Sequence, residues 1–377
     1  MKKSKIYKFL GVLLLLFILV GAIGYKLLPN RHKAIIKTTF LQKLGLVDNE
    51  WMIKQKSETY RMISPTFYID GIYKSMEGPK SSNFVQLSQD STLLWLTSFH
   101  VKAVDSKTYK AISNDYICHT NVDFNDVKYY SNFHLENRIG KQYPRLTSLS
   151  HGLENFSFPQ GYGVPMKGND MLYVTTQALN HNFPDANLFI KHEVAISYSK
   201  EKNLKPLLSR TVFIELPYDK YDPYKSPTDP GKDFCIPVET KNHSYDDGKG
   251  NKLSGHWVIP TGRNTYRSGI NQQLQIKDSL RMHTAAIHVH PFATSLTLYD
   301  KTTKSIVFRS DIINHKNSIG LTKIGYFSST EGVWLYKTHD YELILEVNNT
   351  STINQDMMGS MFLFFYDQEL DQILKTN

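Results

Sequence analysis

Residues 283–290, with the sequence HTAAIHVH, decide how the second half of the chain is interpreted. Side chains of a strand point alternately to its two faces, so His288 and His290 lie on one face and Ile287 and Val289 on the other. At a rise of about 3.3 Å per residue, the Cα atoms of the two histidines are about 6.5 Å apart. Two imidazoles at that separation can bind one metal ion. The alternative interpretation is a pair of surface or core histidines that bind nothing.

Similar short runs, rich in Tyr, Val, Ile, Thr and Phe and broken by Gly, Asn, Asp, Pro and Ser, extend over the rest of the chain from about residue 67. Such runs predict an antiparallel sandwich or barrel. The predicted strands of the first half are Thr92–Val101, Tyr116–Phe124, Met171–Leu179, Lys191–Tyr198 and Thr211–Leu216. Those of the second half are His256–Ile259, Gln272–Ile276, His283–His290, Ser295–Tyr299, Ser305–Phe308, Tyr341–Val347 and Ser360–Phe365.

A stretch rich in proline, with the run DDGKG at 246–250, separates the two halves. It predicts a linker over 218–250 between two β-rich domains, at 59–217 and 251–372. Residues 29–58 are polar and basic without clear periodicity, and we predict a stalk there.

Residues 9–25, FLGVLLLLFILVGAIGY, contain no charge and follow the basic segment MKKSKIYK. Seventeen residues nearly span a hydrocarbon core of about 30 Å, which predicts a membrane anchor within residues 1–28. A cleaved secretory signal, with its small-residue site at 20–22, is the alternative. In both cases the basic flank stays cytoplasmic, and the body is exported to the periplasmic or other extracytoplasmic side.

The net charge of +9 does not indicate a nucleic-acid-binding protein. Residues 1–40 contain eight basic and no acidic residues, so the remaining chain carries a net charge of only about +1. Motifs of hydrolases, nucleotide-binding loops and zinc proteases are absent, because the chain has no GxSxG, GxxxxGK[ST], HExxH or CxxC. The two cysteines, Cys118 and Cys235, are too few for a disulfide framework, and a single bridge between them stays open.

Residues 356–366, DMMGSMFLFFY, contain three methionines within five residues. Alternation places Met358 and Ser360 on one face and Met357 and Met361 on the other. Methionine usually fills cores, but its thioether is also a soft ligand that suits Cu(I). One methionine can therefore face a metal while its neighbours pack.

Residues 116–124, YICHTNVDF, supply a third cluster of candidate ligands. Cys118 and His119 are adjacent on the predicted strand and face opposite sides, so they cannot bind one ion without a bulge. His181, after the strand Met171–Leu179, is a further imidazole. The remaining histidines, among them His151, His256 and His315, are interpreted as structural or solvated.

In this order the motifs resemble those of the type II copper, ascorbate-dependent monooxygenases, the family of peptidylglycine α-hydroxylating monooxygenase and dopamine β-monooxygenase and their bacterial relatives. The family has a strand ending in HxH and, about seventy residues later, a D-x-M segment opening an aromatic final strand. Here His290 and Met358 are 68 residues apart. Residues 258–262, VIPTG, and 158–164, FPQGYGV, are similar to two further family segments, and the likeness spans roughly residues 60–370.

The resemblance implies two jelly-roll-like antiparallel β-sandwich domains, each supplying one copper. It implies that His288, His290 and Met358 hold the copper that binds dioxygen, with ascorbate or another reductant as electron donor and a small molecule as substrate. The other copper of the family has three histidines. Here His119 matches one of them, Cys118 takes the place of another, and the third aligns with Leu179, or with His181 after a shift. A non-catalytic copper-handling or interaction module on the same fold is the alternative function.

Overall fold

The computed structural model describes residues 2–217, 244–246 and 252–376. Most of the predicted linker at 218–250, with Cys235, lies outside the described residues. The described helices are α1 (Lys2–Leu27), α2 (Asn30–Lys43), α3 (Asp126–Asn132), α4 (Asn271–Leu274) and α5 (Gln368–Thr376), with 3₁₀ turns at Asn114–Tyr116 and Glu136–Arg138.

The strands of the first half agree with the alternating pattern of the sequence, and most are buried on at least one face. They are β1 (Met52–Lys56), β2 (Thr59–Ile63), β3 (Phe67–Ile69), β4 (Lys80–Val85), β5 (Leu93–Asp105), β6 (Ile117–Phe124), β7 (Arg145–Leu149), β8 (Asn155–Ser157), β9 (Tyr162–Lys167), β10 (Leu172–Ala178), β11 (Leu188–Ser199), β12 (Lys205–Phe213) and β13 (Leu216–Pro217).

The described part of the second half continues with strands as far as Tyr366. They are β14 (Ser244–Asp246), β15 (Lys252–Ser254), β16 (His256–Ile259), β17 (Gly262–Gly269), β18 (Ser279–Val289), β19 (Ala293–Asp300), β20 (Ser305–Asn314), β21 (Leu321–Ile324), β22 (Phe327–Tyr336), β23 (Tyr341–Asn349) and β24 (Gln355–Tyr366).

Within the described residues these strands form one long sheet and three smaller ones. The long sheet has the order β1-β2-β11-β5-β9-β12-β24-β18-β22, with β16 paired to β24. A four-stranded sheet, β4-β10-β6-β7, and a five-stranded sheet, β17-β23-β19-β20-β21, complete the two halves, and their buried side chains share one apolar core with the long sheet. The predicted all-β sandwich behind an N-terminal apolar helix is confirmed.

Strand β12 joins the two halves. It belongs to the predicted first domain, yet it pairs antiparallel with the final strand β24 from Leu207–Tyr366 to Phe213–Ser360 and parallel with β9 at its start. Arg138 adds a second link, because its guanidinium binds the buried Asp367 carboxylate through two hydrogen bonds of 2.5 and 2.9 Å. The continuous sheet holds both halves in one body, while the predicted domain limits stay a prediction.

The N-terminal helix and the residues after it differ in their contacts. Tyr7–Leu27 is long and apolar enough to cross a membrane, and none of it is buried against the protein. The predicted stalk, in contrast, contains α2 and β1. Ala34 of α2 is 2% exposed beside Phe67 and Ile69, and Lys37 forms an ion pair with Asp70. Helix α2 packs on the body through one small side chain, Ala34, and one ion pair, Lys37 with Asp70. Two such contacts leave no apolar periodicity in the sequence, which explains why a stalk was the prediction.

One predicted strand is wrong. Residues 272–276 lie mainly in the short helix α4, which ends at Leu274 and is followed by Gln275 with φ 49°. The side chain of Gln273 explains the difference, since its amide accepts from the Phe213 N–H at 2.6 Å and donates to the Phe213 carbonyl at 3.0 Å. It thereby satisfies backbone groups at the end of β12 that a paired strand would otherwise satisfy.

Candidate metal centre

Three neighbouring strands of the long sheet carry the candidate ligands. Strand β24 is central, with β16 on one side and β18 on the other. His256 is paired with Met358 across the β16–β24 ladder, and His288 is paired with Ser360 across the β24–β18 ladder. Residues directly opposite in a ladder share a face, so Met358, Ser360 and both histidines lie on the same side of the sheet.

Asp356 brings two of the imidazoles together. Its Oδ2 lies 2.7 Å from Nδ1 of His290, just beyond the end of β18, and 3.4 Å from Nε2 of His256. One ligand atom from each of these three residues lies within 4.8 Å of the other two. We call His256, His288, His290 and Asp356 the histidine–carboxylate cluster.

The four-stranded sheet covers this cluster from the other side. The ring centroid of His288 lies 5.5 Å from that of His290 and 6.2 Å from that of His119 on β6. His290 is in turn 5.6 Å from His256. Four imidazoles from three strands and one loop thus form a continuous chain of rings between two sheets, and the rings of all four residues are buried.

The opposite face of the same strands is apolar, as the alternation predicts. Met357, Met361 and Ile287 are completely buried in the common core. A Cβ on Gly359 would lie 3.5 Å from side chains of Ile214 and Leu345, which shows that this face packs against the five-stranded sheet. The packing of Met357 and Met361 leaves Met358 as the methionine on the histidine face.

The surroundings favour a neutral imidazole at His288 and a charged carboxylate at Asp356. Burial, with the neighbouring His290 and His119, holds the pKa of His288 well below its usual value. Although burial by itself would raise the pKa of Asp356, the imidazoles of His290 and His256 hold that pKa well below the ordinary range of a carboxyl group. Neutral imidazoles and an ionised carboxylate are the protonation states in which these groups bind metals.

Cys118 and His119 lie together because β6 contains a bulge. Gln177 of β10 is paired with His119 but the next residue, Ala178, is paired with Ile117, so Cys118 is the extra residue. The Nδ1 of His119 lies 3.3 Å from the sulfur of Cys118. The adjacent pair therefore offers nitrogen and sulfur to the same region, and its role as a second copper site stays a prediction.

His181 lies at the margin of the cluster. Burial lowers its pKa to about 4, while the Asp356 carboxylate raises this pKa and His290 lowers it further. Among the described residues, Cys118, His119 and His181 do not form a group of three with ligand atoms within 4.8 Å of one another. Cys118, Leu179 and His290 instead border a common cavity of about 30 Å³, enough for one or two water molecules.

Sequence reasoning missed His256 and the contact made by Asp356. The sequence alone suggests a structural or solvated role for His256, yet this residue opens β16, which contains the first two residues of VIPTG, and it pairs with Met358. The available signal was its position two residues before that motif. His192, by contrast, is structural as predicted, since Thr176 and the Tyr116 carbonyl contact its two ring nitrogens at 2.7 and 3.2 Å.

The fold and the site define an all-β sandwich protein with a buried group of imidazoles and a carboxylate between two sheets. No known family model matches the sequence, and no curated protein matches it. Among solved structures, N-glycanase F (PNGase F) aligns with a TM-score of 0.33 and 10% identity over 82% of this chain and 96% of that chain. The glycosylasparaginase PNGase F from Flavobacterium meningosepticum gives a TM-score of 0.34 at 9% identity, over 84% of this chain and 96% of that chain.

The major capsid protein P2 of bacteriophage PM2 gives a TM-score of 0.28 at 12% identity, over 81% of this chain and 97% of that chain. These scores are all below 0.5. The likenesses therefore carry no argument about the function of this chain.

Proposed function

We propose that the protein is a membrane-anchored, extracytoplasmic copper protein that hydroxylates a small substrate with dioxygen, as the resemblance to the type II copper monooxygenases implies. The observation that supports this best is that His288 and Met358 lie on one face of two paired strands, with His290 directly after the end of the first strand. These are the three ligands that the resemblance implies, and they come from segments about seventy residues apart.

The residues present fit a copper ion. The Nδ1 atoms of His288 and His256 are buried and, among the described residues, have no hydrogen-bond partner. Leaving a buried polar atom unpaired costs about 1–3 kcal/mol, which metal binding would recover. Two imidazoles with a thioether form a neutral, partly soft donor set, which suits Cu(I). When bound, copper would supply one-electron chemistry with dioxygen and with a reductant such as ascorbate.

The chain itself supplies position and protection from water. The Asp356 carboxylate lies 2.7 Å from Nδ1 of His290, and carboxylates beside metal-binding histidines commonly orient the ring. The opposite face of these strands, with Ile287 and Met357, packs in the common core, and the three histidines of the cluster are at most 7% exposed. In the proposed centre Met358 is the weak ligand, and His256 is held beside it by the β16–β24 pairing.

Copper binding is tested on the full chain in detergent. We expect about one Cu(I) per chain at this centre, and Met358→Leu to weaken Cu(I) binding at least about tenfold with less effect on Cu(II), because a thioether prefers the softer ion. Met357→Leu is the matched control, since it makes the same change on the core face of the same strand. Equal Cu(I) affinities of the two variants and the wild type would refute the proposed ligand set.

The non-catalytic alternative is favoured by one observation, namely that Cys118, His119 and His181 do not converge as a three-ligand group. A protein with one copper only would lack the second electron-donating centre of the family. Ascorbate-dependent oxygen consumption by the copper-loaded protein separates the two functions. Consumption above that of free copper, abolished by His288→Ala, supports the monooxygenase; its absence supports a copper-handling role.

A further inference from the structure

A second set of ligand atoms lies outside the histidine–carboxylate cluster. Asp115, His151 and His315 each offer one atom within 4.8 Å of the other two, and we call them the Asp115 cluster. The Oδ1 of Asp115 lies 2.8 Å from Nε2 of His315 and 3.3 Å from Nε2 of His151. The two imidazole rings are 5.5 Å apart.

The outer nitrogens of both rings have partners that orient them. Nδ1 of His151 lies 2.6 Å from Oε1 of Glu154, and Nδ1 of His315 lies 3.3 Å from the hydroxyl of Thr322. Both Nε2 atoms are therefore directed toward Asp115. A carboxylate on the outer nitrogen of an imidazole, as Glu154 provides for His151, is a usual arrangement around a metal-binding histidine.

Gly320 gives the cluster its space. A Cβ at this position would lie 2.3 Å from a ring carbon of His315 and 3.0 Å from Oδ1 of Asp115. Its carbonyl also accepts from the His315 N–H at 3.0 Å, which closes the connection between β20 and β21 over the cluster. Any larger residue at 320 would displace the imidazole from the carboxylate.

We propose that the Asp115 cluster binds a zinc ion through Nε2 of His151, Nε2 of His315 and the carboxylate of Asp115. Ligand atoms about 2.1 Å from a tetrahedral ion are about 3.4 Å from one another, so the 3.3 Å contact already fits and the 2.8 Å contact opens by about half an ångström. Two imidazoles, one carboxylate and a water molecule complete four-coordination, and without a thiolate or thioether the donor set favours Zn²⁺ over Cu(I).

The position of the site suggests what zinc does there. Asp115 and His151 belong to the first half of the chain, and His315 belongs to the second, 164 residues after His151. The ion would therefore link the two halves of the chain, next to the cavity that His290 also borders. This inference is independent of the proposed copper function.

The test uses the full chain in detergent, freed of metal and then given Zn²⁺ alone. Ions that bind only the folded state stabilise it, so at a concentration about 100 times the dissociation constant we expect the melting temperature to rise by about 3–6 °C. Asp115→Asn and His315→Gln should each remove this rise and lower the zinc content by about one ion per chain. His339→Gln is the matched control, because His339 contacts Asp300 at 2.6 Å outside both clusters.

Binding at the histidine–carboxylate cluster is separated by repeating the titration in a His290→Ala background, where the Asp115-dependent zinc should remain. His315 lies in a partly exposed connection, so His315→Gln tests the site even if Asp115→Asn fails to fold. Zinc content and melting shift unchanged by both Asp115→Asn and His315→Gln would overturn the proposal and leave the cluster as a hydrogen-bond network.

Discussion

The Nδ1 of His119 lies 3.3 Å from the sulfur of Cys118, although the two residues are neighbours on one strand. In a regular strand, adjacent side chains point to opposite faces. The bulge removes this restriction. Gln177 and Ala178 of β10 are paired with His119 and Ile117 of β6, so Cys118 is an extra residue between them. A bulge is the condition under which Cys118 and His119 can face the same ion, and β6 contains that bulge beside His288.

The Asp356 carboxylate should control copper affinity through His290. Asp356→Asn keeps the volume of the side chain but removes the charge that faces two imidazoles. Loss of such a partner typically costs about 10–100-fold in metal affinity. Competition with a chromophoric Cu(I) chelator measures the change. Asp311→Asn, on an exposed side chain of the same half, should leave the affinity unaltered, and an equal effect of both variants would contradict the assigned role.

Gly163 should be required for the connection between β5, β9 and β12. A Cβ there would lie 2.9 Å from the Leu96 carbonyl oxygen and 3.2 Å from the Trp95 Cβ, neither of which can move freely within a sheet. We expect Gly163→Ala to lower the free energy of unfolding by about 1–3 kcal/mol. The shift of the urea midpoint measures it. Gly269→Ala has nothing within 4 Å and should have little effect, so equal midpoints for the two variants would refute this packing argument.

His192 should make the protein less stable in mild acid. Burial lowers its pKa to about 3, so the folded state keeps it neutral while the unfolded chain protonates near pH 6.5. Between about pH 3 and pH 6.5 the unfolded state therefore binds one proton more than the folded state, at His192. The stabilisation that is fully present above about pH 6.5 is lost as the pH falls toward 3.

One proton of difference corresponds to about 1.4 kcal/mol per pH unit. Glutamine does not titrate. In His192→Gln the free energy of unfolding should therefore fall less steeply than in the wild type as the pH is lowered from about 6 to about 4, with a difference in slope of up to about 1.4 kcal/mol per pH unit. Urea unfolding at several pH values compares the two slopes. Parallel curves for variant and wild type would show that His192 is not the group responsible.

Strand alternation accounts for much of what could be predicted at the site. It placed His288 with His290 and separated Met358 from Met357 and Met361, because the two-residue period depends only on neighbouring residues. It did not find His256, whose importance comes from its pairing with Met358 a hundred residues later. It also assigned a strand to residues 272–276, where the contact of Gln273 with Phe213 favours a helical turn.

The amino-acid sequence by itself determined the apolar N-terminal helix, the predominance of strands and the faces on which candidate ligands lie, because each depends on composition or on short periodicity. The tertiary structure decided that β12 pairs with β24, that Asp356 contacts His290 and His256, and that Asp115 meets His151 and His315. These contacts depend on strand order, register and a bulge. They are set by how distant segments bury their apolar faces together, and no local pattern records that choice.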